Sequence, residues 1–347
     1  MVLRPALMFA LVLLDCTGAE RSPEAAARPG AEAEAPERGE ESPGRRPAAR
    51  AERSASSEGD PVEADQAEEA AEAGAAADAP ASGGEGPRGP LPEATLELRL
   101  GEPSHETPEG APHVVVHRPA GFDPAAPWEL VVFLHGWSGC ARVLARSGPT
   151  ACIEGGETEP GWGLGALAAG AGPQRLFVVP QLAFRRRSGD AGRFAEPGFA
   201  AAWLAALGER AAGWPTAPPS AVRLVAHSAG FESALAWVRH GEVPVREVAL
   251  MDALYAGTEG FFAWLREAPT RRRLVDLHTG HGSTARQSRR LARMARAADL
   301  AVGDALAGEA PVIVMESAAP HRDVPAAHLG DLLRWPLPDP SAGAEIQ

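Results

Sequence analysis

Residues 222–230 read VRLVAHSAG, and they are the most informative residues for predicting the fold. It begins as an almost continuous apolar run, which is typical of a strand that is buried on both faces of a parallel sheet. It then passes through Ser228-Ala229-Gly230 into a helical pattern over residues 230–239. A buried strand that turns sharply into a helix is the repeating unit of an α/β fold.

The same alternation recurs along residues 94–338. Because continuous apolar runs alternate there with helical patterns, we predict an α/β fold with a mostly parallel eight-stranded sheet and helices on both faces. The predicted strands cover residues 95–100, 113–117, 130–134, 176–179, 222–226, 248–251, 274–277 and 312–315, and the predicted helices cover residues 197–212, 230–239, 259–267, 284–298 and 325–333.

The motif Ala226-His227-Ser228-Ala229-Gly230 departs from the pattern G-x-S-x-G only in its first residue. In a sharp strand-to-helix turn, the residues two before and two after the serine must be small, and the serine is then held exposed at the start of the helix. Ala226 meets this size requirement. Ser228 is therefore either a nucleophile or the N-cap of an ordinary helix.

Two further segments extend the pattern. Residues 121–136 lead from GFDP through an apolar run into His-Gly, and His321 follows the last predicted strand. With the serine motif, these features make residues 114–333 resemble the α/β-hydrolase superfamily, and in particular secreted bacterial esterases of the polyhydroxyalkanoate-depolymerase and feruloyl-esterase type. The resemblance implies an α/β-hydrolase fold in which Ser228 is the nucleophile.

A serine hydroxyl needs a base that takes its proton and an acid that orients the base. The resemblance implies the chain order serine, acid, histidine. Among the histidines that follow Ser228, His321 fits the base best, because it lies in the loop between the last strand and the last helix. His328 is the alternative, although it falls inside the predicted final helix.

Several carboxylates could be the acid. The resemblance places the acid after the seventh strand, but residues 278–282 (HTGHG) contain no carboxylate. Asp252 directly follows the sixth strand and is the preferred candidate, although an aspartate there could also cap a turn. Asp276, near the end of the seventh strand, is the main alternative, and Asp323 and Glu316 are further ones.

Acyl transfer also requires hydrogen-bond donors for the oxyanion. The resemblance implies two backbone N–H groups, that of Ala229 after the nucleophile and that of Trp137 after the His-Gly turn, with Ser138 as the alternative to Trp137. Gly136 lets the backbone turn inward. His135 is expected to have a structural role.

The N-terminal quarter of the chain has a different composition. Residues 17–93 hold 18 acidic side chains against 8 arginines and account for most of the net charge of −13. Such a polar segment cannot bury enough apolar area to offset its ordering entropy, so we predict a disordered tether. The charge also excludes a basic surface for nucleic acid, and no nucleic-acid partner is expected.

Residues 1–16 read MVLRPALMFALVLLDC. The apolar run 6–14 is too short to span a bilayer but is typical of an export signal, and its end resembles a lipoprotein processing site in which Cys16 becomes lipidated. We therefore expect a cell-envelope or secreted protein whose only membrane contact is a lipid anchor at Cys16. The predicted organisation is a signal peptide (1–16), a tether (17–93), a hydrolase domain (94–338) and a C-terminal tail (339–347).

The other two cysteines, Cys140 and Cys152, lie twelve residues apart. In an oxidising compartment they are expected to form a disulfide, the alternative being two buried thiols. The long connection 140–172 is expected to form the rim of the substrate cleft together with Trp162. The arginines at 185–187 either attract an anionic substrate or belong to a solvated loop.

No motif for a cofactor is visible, and His278-x-x-His281 is too isolated for a zinc site, so neither a cofactor nor a metal is expected. The leading hypothesis is an exported serine hydrolase of small or polymeric carboxylic esters that works through an acyl-enzyme. The alternatives are an inactive, surface-tethered binding module on the same fold, suggested by Ala226 and the missing acid after the seventh strand, and an acyltransferase to a cell-envelope acceptor.

Overall fold

A single mixed sheet organises residues 89–338, the part of the chain that this computed structural model describes. In chain order the strands are β1 (Ala94–Leu98), β2 (Val114–Arg118), β3 (Glu129–Leu134), β4 (Pro149–Ala151), β5 (Thr158–Pro160), β6 (Arg175–Pro180), β7 (Ala221–His227), β8 (Val245–Met251), β9 (Arg273–His278), β10 (Val302–Gly303) and β11 (Val312–Glu316). β4 and β5 form a small hairpin of their own. The other nine strands form the sheet in the order β1-β2-β6-β3-β7-β8-β9-β11-β10.

The predicted mostly parallel sheet is confirmed. β2 pairs antiparallel with both β1 and β6, and every other neighbouring pair of this sheet is parallel. The sequence predicted eight strands, whereas the sheet has nine. The additional strand, β10 (Val302–Gly303), has two residues, which is too few to show a pattern in the sequence.

Helices cover both faces of the sheet, as predicted. They are α1 (Ala141–Ala145), α2 (Leu164–Ala169), α3 (Phe199–Arg210), α4 (Phe231–His240), α5 (Thr258–Arg266), α6 (Gly282–Ala297) and α7 (Val324–Arg334). Residues of α3, α4, α5 and α6 share one hydrophobic cluster, and residues of α1, α2 and α7 share the cluster on the opposite face. The sequence predicted five of these helices; α1 and α2 lie in the connection 140–172, which was expected to be a loop.

The central strand β3 shows why its sequence is apolar without alternation. Leu130, Val132 and Leu134 point into the cluster with α3–α6, while Val131 and Phe133 point into the cluster with α1, α2 and α7. All five side chains are fully buried. A strand that is covered on both faces has no solvent-facing position for a polar residue.

One row of charges crosses the buried sheet near the amino ends of its strands. Arg223 of β7 pairs in register with Glu247 of β8, which pairs in register with Arg273 of β9. The carboxylate of Glu247 accepts a hydrogen bond from Arg223 at 2.9 Å and a second one from Arg273. All three side chains are buried, and Arg223 also donates to the carbonyl oxygens of Leu332 and Trp335, so the charges are compensated within the core. The opposite, carboxyl edge of the sheet carries the candidate site.

The predicted signal peptide (1–16), the C-terminal tail (339–347) and all but the last residues of the predicted tether (17–93) lie outside the described residues. Within the end of that predicted tether, Leu91 forms a bridge with Phe122 and packs against the core. No helix within residues 89–338 is long and apolar enough to cross a membrane.

Candidate active site

Ser228 lies on the turn between β7 and α4, at the carboxyl edge of the sheet. Its φ angle is +53°, a left-handed conformation that residues other than glycine rarely adopt. Gly230 allows the turn to form, because a Cβ atom at that position would collide with the carbonyl oxygen of Leu134. The small residue two places after the serine is thus required by the close approach of β3 to the turn, as the motif predicted.

Asp252 and His321 are brought together from positions 69 residues apart in the chain. Asp252 directly follows β8, also with a positive φ angle of +46°. Its Oδ2 atom accepts a hydrogen bond from Nδ1 of His321 at 2.6 Å. Because Nδ1 carries the proton in this bond, Nε2 of His321 is left as the basic nitrogen.

The carboxylate of Asp252 is held by three further donors. The Thr284 hydroxyl donates to Oδ1 at 2.7 Å, and Thr279 donates its hydroxyl to Oδ2 at 3.1 Å and its N–H to Oδ1 at 3.3 Å. Burial alone would raise the pKa of Asp252, but the hydrogen bonds from His321, Thr284 and Thr279 outweigh it and lower the pKa to about 2. Asp252 is therefore an anion throughout the neutral range.

Ser228 and His321 line the same cleft, which has a volume of about 430 Å³. Within residues 89–338, the Ser228 hydroxyl and the His321 ring are not hydrogen-bonded to each other. The His321 side chain retains 41% of its full exposure, whereas that of Asp252 retains 4%. The imidazole thus reaches the solvent-accessible cleft while the carboxylate behind it does not.

His227, the residue immediately before the serine, holds the loop that carries His321. Its Nε2–H group donates to the His321 carbonyl oxygen at 2.9 Å, and the two rings lie 4.8 Å apart. Burial, with a smaller effect of His321, lowers the pKa of His227 to about 4, so the ring is neutral at pH 7. No role for His227 was predicted from the sequence, where it occupies the unspecified position of the motif.

Tyr255 is a second residue of the site that the sequence did not identify. Its ring meets the His321 ring edge-on, with 6.5 Å between the centroids. Burial and the charge of Asp252 raise the pKa of the Tyr255 phenol, against an opposing interaction with the Ser228 hydroxyl. The phenol thus lies beside both the serine and the histidine.

The His-Gly turn after β3 packs directly against the serine. A Cβ atom on Gly136 would lie 2.6 Å from Cβ of Ser228, so only glycine fits there without a shift. Of the two predicted donors in this turn, Ser138 already uses its N–H group in a bond to the Arg186 carbonyl oxygen at 2.9 Å. The N–H group of Trp137 is therefore the better candidate, beside that of Ala229.

Buried side chains hold this turn in place. His135 donates from Nδ1 to the Gly136 carbonyl oxygen at 2.8 Å and accepts the N–H of Leu182 at Nε2, at 2.9 Å. Burial lowers the pKa of His135 to about 4, which keeps the ring neutral. Gln181, which the sequence did not single out, donates to the carbonyl oxygen of Gly139 at 3.1 Å. His135 thus makes the structural contacts that the sequence led us to expect.

The connection 140–172 forms a wall of the cleft through Cys140 and Trp162, among other residues. The predicted disulfide between Cys140 and Cys152 is confirmed, with 5.8 Å between the Cα atoms. Of the arginines at 185–187, only Arg185 lines the cleft, and its guanidinium group pairs with Glu159 at 2.5 Å. The charge of this arginine is therefore already compensated.

Asp276, the second candidate for the acid, has a different environment. It is fully buried within β9, and neither of its side-chain oxygens has a hydrogen-bond partner among the described residues. Burial raises the pKa of Asp276 to about 7. It is Asp252, and not Asp276, that bonds to His321.

The remaining candidates for the base and the acid do not line the cleft. His328 lies in α7, and its Nε2 atom is 2.7 Å from the Ser317 hydroxyl. Asp323 and Glu316 are exposed, in the turn before α7 and at the end of β11. Among residues 89–338, no group of three or more His, Cys, Asp or Glu side chains could hold a metal ion.

No family model matches the chain, and no curated protein matches it in sequence. Several solved structures are similar to it. A fluorophosphonate-binding serine hydrolase of Staphylococcus aureus is 9% identical over 71% of this chain and 100% of its own (TM-score 0.44). A feruloyl esterase module from Clostridium thermocellum is 9% identical over 72% and 94% (TM-score 0.45), and an S-formylglutathione hydrolase of Staphylococcus aureus is 11% identical over 72% and 97% (TM-score 0.41).

Proposed function

We propose that this protein is a serine hydrolase of carboxylic esters, with Ser228 as the nucleophile, His321 as the general base and Asp252 as the acid that orients the base. One observation carries the proposal. His321 forms a 2.6 Å hydrogen bond with the anionic Asp252 and lines the same cleft as Ser228. Ser228 itself lies on a strained turn. A serine, an imidazole with a free Nε2 atom and a buried carboxylate are the groups that acyl transfer requires.

In the first half of the proposed reaction, the Ser228 Oγ atom attacks the carbonyl carbon of the ester, and its proton moves to Nε2 of His321. The Asp252 carboxylate stabilises the imidazolium that forms. The negative charge on the carbonyl oxygen is taken up by the backbone N–H groups of Ala229 and Trp137. The tetrahedral intermediate then expels the alcohol, which takes the proton from His321, and an acyl-enzyme remains on Ser228.

In the second half, a water molecule attacks the acyl carbon and gives a proton to His321. The second tetrahedral intermediate collapses, the bond to Ser228 Oγ breaks, and the serine recovers its proton from His321. The carboxylic acid leaves, and the enzyme is unchanged. The missing hydrogen bond between Ser228 and His321 is compatible with this scheme, because such bonds often tighten only when the substrate is bound.

Labelling with a fluorophosphonate probe tests the nucleophile. We expect the folded protein to be labelled and to hydrolyse 4-nitrophenyl butanoate, and Ser228→Ala to lose both properties. Labelling that persists in folded Ser228→Ala would assign the reaction to another residue. A folded wild-type protein that takes no label would favour the inactive binding module instead.

The assignment of the base is tested by a matched pair of histidine variants. His321→Ala is expected to lower kcat by about 10⁴-fold or more, because no group then accepts the serine proton. His328→Ala is the control, and it should leave kcat within about threefold of the wild type, since substitutions away from such machinery have small effects. Equal losses in both variants would reject His321 as the base.

We also propose that the protein is exported and lies in the cell envelope or outside the cell, with Cys16 as the site of lipid attachment. The apolar run 6–14 and the disulfide between Cys140 and Cys152 support this compartment. Fractionation of cells that express the full chain tests it. Recovery in the cytoplasm at full length would overturn export, and an unchanged membrane fraction for Cys16→Ser would overturn lipid attachment.

A further inference from the structure

We propose that the cleft binds an ester that carries a carboxylate near its scissile bond, and that Arg322 recognises this carboxylate. The inference rests on the proposed ester hydrolysis and names its substrate class. It starts from the charges that line the cleft. Apart from the histidines, the charged side chains in its lining are those of Glu159, Arg185 and Arg322.

These three charges do not cancel. The guanidinium group of Arg185 and the carboxylate of Glu159 lie 2.5 Å apart and compensate each other. Arg322 forms no ion pair with any residue of the part of the chain that the structure describes. His135 and His227 are neutral at pH 7, because burial lowers the pKa of each to about 4. The lining thus keeps one uncompensated positive charge, which lies beside the catalytic histidine in the sequence.

Arg322 packs against an aromatic ring, and its N–H groups remain available as hydrogen-bond donors. Its guanidinium carbon lies 5.6 Å from the centre of the Trp162 ring, in a cation–π contact across the cleft wall. The Trp162 ring in turn meets the buried ring of His227 at 5.7 Å, which fixes its position. A guanidinium that lies over an aromatic ring forms no hydrogen bond there, so its N–H groups remain available to bind a carboxylate through two hydrogen bonds.

The rest of the cleft suits a small organic anion. Its volume of about 430 Å³ lies in the range of small-molecule sites. The Trp137 side chain, 57% exposed, offers an apolar surface on the lining. Because Arg322 follows His321 directly, a carboxylate bound to it would lie close to the ester group that Ser228 attacks. An ester with an anionic group and an apolar body therefore complements the lining.

Two pairs of esters of matched shape test the proposal. In the first pair, 4-carboxyphenyl and 4-acetylphenyl butanoate, the charge is on the alcohol; in the second, the 4-nitrophenyl esters of adipic acid and of 6-oxoheptanoic acid, it is on the acyl chain. We expect the wild type to prefer the anionic member of at least one pair by about tenfold in kcat/KM at low salt, as a charge-assisted contact near the surface allows. That preference should fall as the ionic strength rises.

The variants Arg322→Gln and Arg322→Glu then assign the preference to one residue. Arg322→Gln should lower kcat/KM for the anionic ester about tenfold more than for its neutral partner, and Arg322→Glu should lower it further, because the contact becomes repulsive. Arg187→Gln is the matched control, since Arg187 is also exposed but does not line the cleft, and it should preserve the preference.

These experiments distinguish failure of the proposed role of Arg322 from failure of the proposed ester hydrolysis. No preference for an anionic ester in either pair, or an equal effect of Arg322→Gln on both members, would overturn the role of Arg322 while Ser228-dependent hydrolysis of neutral esters stands. Hydrolysis of all four esters that does not exceed that of Ser228→Ala would instead overturn the proposed function itself.

Discussion

Asp276→Asn is expected to stabilise the protein above about pH 5 and to leave the proposed esterase activity intact. The carboxyl group of Asp276 is fully buried within β9, and neither oxygen has a hydrogen-bond partner among the described residues. The nearby Ser288 hydroxyl donates instead to the carbonyl oxygen of Thr284, at 2.8 Å. Burial therefore raises the pKa of Asp276 from 3.8 to about 7.

The raised pKa makes the wild type less stable as the pH rises. Between about pH 4 and pH 7 the unfolded chain has lost the proton of Asp276 while the folded chain keeps it, so the free energy of unfolding falls with increasing pH. Each pKa unit corresponds to 1.36 kcal/mol, and the shift from 3.8 to about 7 therefore costs the folded state about 4 kcal/mol by pH 8. Asparagine does not ionise, and the variant escapes this cost.

Urea unfolding of the wild type and Asp276→Asn at pH 4, 5.5, 7 and 8 measures the effect. The difference in unfolding free energy should grow in favour of the variant by up to about 4 kcal/mol over this range. Asp252→Asn is a control without this pH trend, because the pKa of Asp252 is lowered from 3.8 to about 2: the stabilisation by its charge is present above about pH 4, so this variant should be less stable than the wild type by a nearly constant amount between pH 4 and pH 8. If the difference in unfolding free energy between Asp276→Asn and the wild type does not change with pH, the reasoning is refuted. If kcat instead falls about 10⁴-fold in Asp276→Asn but not in Asp252→Asn, Asp276 is the acid.

Three further predictions follow from the contacts. Gly136→Ala places a Cβ atom 2.6 Å from the Cβ atom of Ser228, so kcat should fall about 10²-fold while the circular dichroism spectrum stays unchanged. A kcat equal to that of the wild type would contradict the packing of this turn. Glu247→Ala removes the carboxylate that Arg223 and Arg273 share and leaves Arg223 only its longer contact of 3.5 Å with Glu129, so it should cost about 3–5 kcal/mol in urea unfolding. A cost below about 1 kcal/mol would show that water or other groups replace the carboxylate. Replacing both Cys140 and Cys152 by serine should lower the free energy of unfolding by about 2–4 kcal/mol, and an unchanged value would mean that the disulfide does not constrain the unfolded chain.

The sequence predicts the elements of this fold that have many residues and a strong pattern. β7 and α4 were both predicted around the serine turn, because a strand buried on both faces and an amphipathic helix leave distinct periodicities. The connection 140–172 was predicted as a loop although it contains α1, α2 and the β4–β5 hairpin. Each of those elements has three to six residues, which is less than two turns of helix or one clear alternation. Their positions are set by packing and by the disulfide.

Some residues of the candidate site could likewise be predicted from the sequence, and others could not. Ser228, Asp252 and His321 were chosen because each follows a strand at the carboxyl edge of the sheet, where the ends of parallel strands meet. The residues that hold them were not predictable. His227 bonds to a carbonyl group 94 residues away, and Gln181 reaches the turn after β3 from the end of β6. Such contacts depend on how the side chains of distant segments meet, and a single sequence does not show this.

The position of Asp252 bears on the carboxylate that the sequence lacks after the seventh predicted strand. The loop after β9 lacks a carboxylate, and this absence favoured an inactive binding module. In the structure the same loop donates two hydrogen bonds from Thr279 to Asp252, which lies after the neighbouring strand β8. The loop therefore contributes donors that keep an acid anionic, in place of the acid itself. Asp276 lies inside β9, fully buried and without a hydrogen bond to His321, so it does not orient the imidazole as Asp252 does. Under the proposed function, Asp252 is the acid, and the missing carboxylate after β9 does not by itself favour an inactive binding module.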